Sequence, residues 1–362
     1  MAHVFCLGSN GLSQLGIGHK EDVSVPKSAI FNVPTPSDIT TISAGGNHTL
    51  VLAAGVLYSA GDFVTGARGI SPQEDGLNNI FRPVLLDSEG ATLTNSDIAF
   101  CAATWESSII VQKDNHGRAN QVFTFGIGNK GELGQGEILF RSAKPQLIKD
   151  FPPIGLEIVD LAASVSHAVA VLSNGDVYGW GSGRKGQLGE PQEVVYAPRK
   201  ITGLDFKVVQ AVGGREFTYL VSETKEGKHA VLGSDKWEVR SATPASVTGW
   251  KEIGAGWGSI IVLLENGKVL SWGRNDHGQL PSPETPLFSK IVVGSEHALG
   301  LTLDGDVLAW GWGEHGNCGP NTTEGDVKDR WNVIASSKYI PPGSKIYSIG
   351  AGCATSWVLV AG

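Results

Sequence analysis

The chain has 362 residues, of which 41% are apolar and 18% charged, and its formal net charge is −8. This composition is typical of a globular protein, and the 49 glycines, which follow no triplet period, indicate many tight turns. An acidic chain whose basic residues never form a run lacks the charge pattern that binding to a phosphate backbone requires, so we expect no direct contact with nucleic acid.

The N-terminus carries no recognisable targeting signal. Met1 to Phe5 enters the first predicted strand without a basic region followed by an apolar one. No uninterrupted apolar stretch approaches the roughly 18 residues that a membrane span needs. Neither metal-ligand nor redox spacing joins the four cysteines, which are Cys6, Cys101, Cys318 and Cys353. We therefore expect a soluble protein with reduced thiols in the cytoplasm, and the nucleus stays open as a second compartment.

One pattern recurs seven times in chain order: an apolar strand that ends in an aromatic or aliphatic residue followed by glycine. The seven pairs are Leu7-Gly8, Ala60-Gly61, Phe125-Gly126, Trp180-Gly181, Leu232-Gly233, Trp272-Gly273 and Trp310-Gly311. Repeats of this length stack, or lie radially, around one continuous core. Residues 1–362 are therefore predicted to form a single domain.

Each repeat has two halves. The first half is a strand that ends in small residues and often a histidine, as in 42–52 with His48. The second half is a hairpin in which Asn174-Gly175, for example, supplies the positive φ angles of a two-residue turn. The histidine recurs as His167 and His297. This recurrence indicates a structural hydrogen bond between strands, because an acid–base catalyst is needed once and not once per repeat.

Short strands with hairpin signals at this spacing favour a β-propeller over a helical solenoid. A loop such as Gln187-Leu188 follows the third strand, and its leucine is expected to fill the gap between neighbouring units. The chain begins with a second half and ends with a first half at 349–360. We therefore predict an all-β, seven-bladed propeller closed by the N- and C-terminal strands in one blade. A longer loop insertion is expected at 312–345.

Two motifs suggest a family. The segment small-Gly-x-x-His-Thr, followed by a turn and Trp-Gly-x-x-x-x-Gly-Gln-Leu-Gly, resembles the regulator of chromosome condensation repeat over essentially the whole chain. Within that family, residues 8–22, 311–320 and 352–357 are similar to a fungal branch, the killer-toxin-insensitivity and α-tubulin-suppressor proteins.

The resemblance to this branch implies a non-catalytic accessory protein without a cofactor. The implied partner is a small zinc-ribbon, electron-carrying protein, bound as a heterodimer, and the Elongator complex is a further expected partner. The two implied pathways are Elongator-dependent modification of wobble uridines in transfer RNA and diphthamide synthesis on elongation factor two.

Candidate interface residues are expected at the position before the repeat histidine, on one face of the ring close to the central channel. This position is assigned to Asn47, Trp105, Ser166, Arg215, Trp257, Glu296 and Cys353. Tryptophan and arginine are frequent interface anchors, so the partner-binding set takes Trp105, Arg215, Trp257, Glu296 and Cys353. Packing between blades is the alternative role for these side chains.

A second group of candidates lies on the glycine-rich segment 312–320. Trp312, Glu314 and His315 are expected to contact a partner, because function tends to lie in such loops, with local packing as the alternative. His315 and Cys318 alone are too few ligands for tetrahedral zinc, so no metal is expected. Trp357 lies in a segment that carries the resemblance and completes the predicted partner-binding set.

The alternative function is guanine-nucleotide exchange on a Ran-like small GTPase, which is the activity of the founding family member. That protein reaches chromatin through a basic N-terminal tail, whereas Met1 of this acidic chain lies a few residues from the first predicted strand. An enzyme built in the propeller channel is disfavoured, because no Ser-His-Asp arrangement, phosphate loop or paired-carboxylate motif stands out.

Overall fold

A computed structural model describes residues 2–70, 79–84 and 95–362 of the chain. These residues form seven antiparallel sheets of three or four strands, arranged as blades around a ring. This confirms the predicted all-β, seven-bladed propeller. No helix in the described residues has the length and apolarity to cross a membrane.

Each blade runs outward from an innermost strand. The innermost strands are β3 (Ile39–Ala44), β7 (Ile98–Ala103), β11 (Ile158–Ala163), β15 (Gln210–Gly213), β18 (Trp250–Ala255), β21 (Phe288–Val293) and β25 (Lys345–Ala351). The second strands are β4 (His48–Ala53), β8 (Ser107–Lys113), β12 (His167–Leu172), β16 (Phe217–Val221), β19 (Ser259–Leu264), β22 (His297–Thr302) and β26 (Thr355–Ala361). The third strands are β1 (Ala2–Gly8), β5 (Val56–Gly61), β9 (Ala119–Ile127), β13 (Val177–Ser182), β17 (His229–Gly233), β20 (Val269–Gly273) and β23 (Asp306–Trp312). The outer strands are β2 (Val23–Ser28), β6 (Arg82–Pro83), β10 (Arg141–Leu147), β14 (Val194–Ile201) and β24 (Asp326–Ser336).

We number the blades in chain order from β3. Blade 1 contains β3 to β6, blade 2 β7 to β10, blade 3 β11 to β14, blade 4 β15 to β17, blade 5 β18 to β20 and blade 6 β21 to β24. The closing blade has the strand order β2-β1-β26-β25. Short 3-10 turns occur at Lys236–Glu238 and Ser337–Tyr339.

The second strands form the core of the blades. Every residue of β4, β12 and β22 is buried. Neighbouring blades cover both faces of these strands, and a strand buried on both faces reads as a nearly continuous apolar run instead of an alternation. The sequences HTLVLA, HAVAVL and HALGLT satisfy this condition, with the histidine at the first position of each strand.

The turn between β12 and β13 contains glycine with a positive φ, as predicted, but it is not the expected two-residue turn: β12 ends at Leu172, β13 begins at Val177, and Asn174 does not have a positive φ. Gly175 has a φ of 87° in the turn between β12 and β13, where its N–H donates to the Leu172 carbonyl at 2.7 Å. The left-handed backbone disfavours any side chain here, and a Cβ would also require the exposed Lys207 side chain to move.

The ring closes through the two ends of the described chain. Strand β1 pairs with β26 from Ala2 opposite Ala361 to Gly8 opposite Thr355. The innermost strands contact one another in the cyclic order β25, β3, β7, β11, β15, β18, β21 and back to β25. The prediction that N- and C-terminal strands share one blade is therefore confirmed.

The outer strands differ from blade to blade. The segment 312–345, expected as a loop insertion, contains the eleven-residue strand β24 and the turn Ser337–Tyr339, which corrects that expectation. Strand β24 pairs with β23 through register shifts, and its burial alternates only over 332–336, where Asn332 and Ser336 are among the buried residues and remove the apolar alternation from the sequence. Blades 4 and 5 have three strands each.

The loops that follow the third strands seal the gaps between blades. Leu15, Leu133 and Leu188 are buried, as predicted. The indole N–H of Trp180 in blade 3 donates to the Glu132 carbonyl in the loop of blade 2 at 2.9 Å. Trp310 in blade 6 makes the same bond to the Gln279 carbonyl of blade 5 at 3.0 Å. The tryptophan of one blade thus holds the loop of the preceding blade.

The repeat histidines join neighbouring blades, and the prediction of a structural role is confirmed in this form. Each Nε2 lies against a hydroxyl at the second position of β8, β16 or β26 in the next blade. The three pairs are His48 with Ser108 at 2.9 Å, His167 with Thr218 at 3.0 Å and His297 with Ser356 at 3.0 Å. Each hydroxyl also donates at 2.7 Å to a loop carbonyl, of Ala67, Gln187 or Asn317 respectively. Burial lowers the pKa of all three histidines to about 4.

Replacing Thr218 by alanine is expected to lower the free energy of unfolding by about 1–3 kcal/mol, because it leaves the buried His167 ring and the Gln187 carbonyl without their partner. The matched control is Thr49→Ala. Thr49 occupies the same position in blade 1, is equally buried, and its hydroxyl has no hydrogen-bond partner within the described structure. Equal losses for the two variants in urea unfolding would contradict the blade-joining role of the histidine.

Candidate functional site

One face of the propeller carries the candidate residues other than Trp357. This face holds the turns between first and second strands, such as 164–166, and the loops after the third strands, such as 183–193. His167 pairs with Gly181, so the start of a second strand lies beside the end of a third strand and both sets of connections share one end of the blade. We call this end the site face. The hairpin turns between second and third strands lie on the opposite face.

The predicted interface position combines two structural positions. Asn47, Ser166 and Glu296 lie one residue before the second strand, whereas Trp105, Arg215, Trp257 and Cys353 lie two residues before it. The expectation that these seven residues are equivalent is therefore wrong. Only β4, β12 and β22 begin with histidine, so the glycine-rich turns of the other blades offer no anchor for an alignment.

The turns of adjacent blades are linked through their backbones at the position two residues before the second strand. The Trp105 N–H donates to the Val165 carbonyl at 3.0 Å. Further round the ring, the Arg215 N–H donates to Trp257 at 3.1 Å and the Trp257 N–H to Ser295 at 2.7 Å. These bonds fix the turns relative to one another, so the side chains that they carry have a defined spacing around the channel.

Two tryptophans meet at the mouth of the central channel. The rings of Trp105 in blade 2 and Trp257 in blade 5 lie 5.9 Å apart between centroids, tilted by 46°. Both line a cavity of about 170 Å³, together with the small residues of the surrounding turns and half-buried Cys353. Trp105 remains 37% exposed. The sequence therefore placed these two side chains correctly near the channel on one face.

A larger cavity, of about 350 Å³, lies beside this mouth between blades 4 and 5. Arg215 contributes to it, with its guanidinium carbon 5.1 Å from the centroid of the Trp257 ring. Lys236, Trp237 and Arg274 also line it, and none of these three was predicted from the sequence. Trp237 lies in a segment where the repeat pattern is lost, and that loss was the only signal for it.

Glu296 is buried at the edge of this cavity. Arg274 donates from Nη1 to its carboxylate, and Gln279 donates to Glu296 Oε2 at 2.8 Å. Burial raises the pKa of Glu296. Partial burial also acts to raise the pKa of Asp276, but hydrogen bonds from Arg274 and Gln279 bring it down to about 2. Glu296 is therefore too buried for an extended contact with a partner, and its main role is to position the Arg274 guanidinium.

The segment 312–320 forms a joint between blade 6 and the closing blade. The rings of Trp312 and His315 pack edge to face with centroids 5.3 Å apart, and His315 Nδ1 lies 2.7 Å from Asp22 Oδ2. Glu314 is exposed beside them. His277 and Asp326 repeat this His–Asp contact between blades 5 and 6 at 3.1 Å. The repetition indicates that His315 has a structural role in addition to any contact with a partner.

His315 and Cys318 have separate surroundings. The Cys318 thiol is buried against the Trp310 carbonyl at 3.5 Å, where burial raises its pKa. It stands where other blades have the buried leucine. No cluster of three or more His, Cys, Asp or Glu side chains suited to a metal occurs among the residues that the structure describes.

Trp357 is a core residue, which corrects its assignment to the partner-binding set. It is fully buried in β26, and its ring packs against Phe81 with centroids 5.9 Å apart. Its indole N–H donates to Thr355 Oγ1 at 3.2 Å. The side chain at the end of the segment 352–357 therefore faces inward.

A ring of seven blades, in which three third strands contain Trp-Gly and the loop 186–189 carries Gly-Gln-Leu-Gly, defines a propeller of the RCC1 repeat class. A family model described as RCC1-like domain matches residues 3–358, and the chain belongs to this family. A relative is the RCC1 repeat-containing protein C10F6.04 of Schizosaccharomyces pombe, 35% identical over 367 residues, 98% of this chain and 97% of that protein.

A more distant relative is the secretion-regulating guanine nucleotide exchange factor of Mus musculus. It is 28% identical over 77% of this chain, which spans 61% of that protein's length. Among solved structures, Prp20p of Saccharomyces cerevisiae superposes with a TM-score of 0.81 at 21% identity, covering 99% of this chain and 91% of that chain. Human WBSCR16 superposes with a TM-score of 0.77 at 17% identity, covering 99% and 98%. These structural likenesses establish the fold alone.

Proposed function

We propose that this chain is a non-catalytic accessory protein that binds a small zinc-ribbon, electron-carrying protein through its site face. The complex would support Elongator-dependent modification of wobble uridines in transfer RNA and diphthamide synthesis on elongation factor two. Support for this pathway assignment comes from the motif resemblance of residues 8–22, 311–320 and 352–357 to the killer-toxin-insensitivity and α-tubulin-suppressor branch.

The observation that carries the binding function is the cluster of Trp105, Trp257 and Arg215 at the channel mouth. Tryptophan and arginine dominate the binding energy of protein interfaces, above all near the centre of a contact surface. Hydrogen bonds between the turns hold these side chains in place before binding, which lowers the entropy cost of association.

The buried histidines support a binding role over catalysis. His48, His167 and His297 are enclosed between blades, and each bonds to a hydroxyl that is itself committed to a loop carbonyl. Their pKa values of about 4 keep them neutral near pH 7, away from the range that suits a general acid or base.

Guanine-nucleotide exchange on a Ran-like small GTPase is the second candidate. It is favoured by the name of the mouse relative, a secretion-regulating guanine nucleotide exchange factor. It is also favoured by the fold shared with Prp20p, whose crystal structure was described together with its binding properties to Gsp1p and histones. An exchange factor would bind the GTPase through the loops of the site face and stabilise its nucleotide-free form.

Two measurements separate the candidates. Isothermal titration calorimetry with the purified zinc-ribbon protein should detect a complex, whereas accelerated nucleotide release from loaded Ran would support the second candidate instead.

Replacing both Trp105 and Trp257 by alanine should raise the Kd of this complex about 30-fold or more, as expected for interface anchors that contribute roughly 2 kcal/mol. Tyr339→Ala is the control, because Tyr339 is 88% exposed beside the opposite face and its loss should leave the Kd unchanged. A double variant that binds like the wild type would refute this docking site.

A further inference from the structure

The cavity between blades 4 and 5 has an unusual lining for a protein of net charge −8. Arg215, Lys236 and Arg274 surround it together with Trp237 and Trp257. We call this cavity the cation–tryptophan cleft. Its volume of about 350 Å³ is large enough to receive a few side chains of another protein.

The three cations of the cleft differ in how they are neutralised. Arg274 is paired with Asp276 and Glu296. Arg215 and Lys236 are exposed, and neither side chain has an ion pair or hydrogen bond within the described part of the chain. Each lies instead near an indole ring, Arg215 at 5.1 Å from the centroid of Trp257 and Lys236 at 5.4 Å from that of Trp237. Two charges in the cleft are thus available to an anionic group.

The backbone holds one wall of the cleft in a fixed position. Trp237 and its neighbour Glu238 have φ angles of 66° and 57°, a left-handed conformation that costs non-glycine residues energy. The turn is fixed by the Asp235 carboxylate, which accepts from the Arg240 and Ser241 N–H groups at 2.8 and 2.9 Å. Trp237 is thereby kept 41% exposed, with the Arg274 guanidinium carbon 4.9 Å from the centroid of its ring.

The geometry points to a subsite for carboxylate side chains: the cation–tryptophan cleft receives an acidic loop of the zinc-ribbon partner. Arg215 and Lys236 pair with the carboxylates, and Trp237 and Trp257 cover the aliphatic parts of the same loop. This inference rests on the proposed function, because it assigns the part of the site face that recognises charge.

The cleft suits a carboxylate better than a phosphate group. Glu216 and Glu296 line the same cavity as the two available cations. Their negative charges oppose a doubly charged phosphate more strongly than a singly charged carboxylate. The cations are also few and lie beside apolar rings, whereas a polyphosphate backbone is bound by longer basic surfaces.

The first test uses a defined probe. A capped peptide of alternating aspartate and leucine is titrated into the ¹⁵N-labelled full chain, and the indole N–H resonances are followed. The resonances of Trp237 and Trp257 should shift with this peptide, and the shifts should disappear in the Arg215→Ala, Lys236→Ala double variant. A peptide with asparagine in place of aspartate should give no comparable shift. Equal shifts for the two peptides, or tighter binding of inorganic phosphate, would overturn the inference.

The second test uses the partner and a matched charge reversal. Lys236→Glu should raise the Kd for the zinc-ribbon protein about tenfold at low salt, and the effect should shrink at high salt as the charges are screened. Lys338→Glu makes the same charge change at an exposed lysine beside the opposite face and should have little effect. Equal Kd values for the two variants would refute carboxylate binding in the cleft and leave the proposed function unaffected. If the wild-type chain does not bind the partner, the proposed function fails, and the peptide titration alone decides the cleft.

Discussion

Replacing Trp357 by alanine is expected to lower the free energy of unfolding by about 3–5 kcal/mol, the usual cost of removing a fully buried tryptophan from a packed core. The ring is completely enclosed and belongs to the same apolar cluster as Val4, Leu15 and Leu359. Val4 lies in β1 and Leu359 in β26, the strands that join the two ends of the described chain. The cavity left by alanine would therefore weaken the closing blade itself. Urea unfolding followed by circular dichroism measures this loss.

Trp105→Ala provides the comparison for Trp357→Ala. Trp105 is partly exposed at the channel mouth, so its loss should cost less than about 1 kcal/mol of stability while weakening the complex with the partner. Trp357→Ala should show the reverse pattern, with reduced stability and a nearly normal Kd for the fraction that is folded. A stable Trp357→Ala protein with lost binding would mean that this side chain reaches a partner after all.

Lowering the pH from 7 to 5 is expected to reduce the free energy of unfolding by about 4 kcal/mol. His48, His167 and His297 have folded-state pKa values of about 4, below the ordinary value of 6.5, because burial disfavours their charged form. Below pH 6.5 the unfolded chain therefore binds more protons than the folded chain. The stability that these three neutral histidines contribute is present above pH 6.5 and is lost progressively as the pH falls towards 4.

Asp160 opposes part of this loss. Burial raises its pKa to about 6 from an ordinary 3.8. The free-energy cost of burying the charged carboxylate is therefore relieved as Asp160 takes up a proton below about pH 6. The balance of these four groups gives the expected net change. Urea unfolding at pH 7, 6 and 5 measures it, and His297→Gln, which cannot titrate, should reduce the histidine contribution by about one third. A free energy of unfolding that stays constant or rises towards pH 5 would rule out buried neutral histidines as the cause.

The blade architecture could be predicted because it depends on short, repeated signals. Asn174-Gly175 marks a hairpin, because Gly175 readily adopts the positive φ that the turn uses. Trp180-Gly181 marks the third strand of the same blade. Closure could be predicted as well, because the chain begins and ends with complementary halves of a repeat. The outer strands could not, since β10 and β24 are half exposed, carry polar residues and pair through bulges. These features remove the period-two pattern on which strand prediction depends.

The candidate site could be predicted only in part, because its side chains come from different blades. Trp105 and Trp257 were found since tryptophan in a glycine-rich turn is conspicuous in a sequence. Lys236 and Trp237 were missed because they lie in the segment after β17, where the repeat motif is lost. Their position beside Arg274 follows from the packing of blade 4 against blade 5, which no local sequence pattern reports.

The pairing of β1 with β26 also has a consequence for biosynthesis. Strand β1 leaves the ribosome before β26, and six blades lie between them in the chain, so the edge of β1 that β26 will cover stays without that partner while those blades are translated. An unpaired edge invites contact with other nascent chains. Pairing over such a long sequence separation is slow to form, and the edge of β1 is open to aggregation until it is covered.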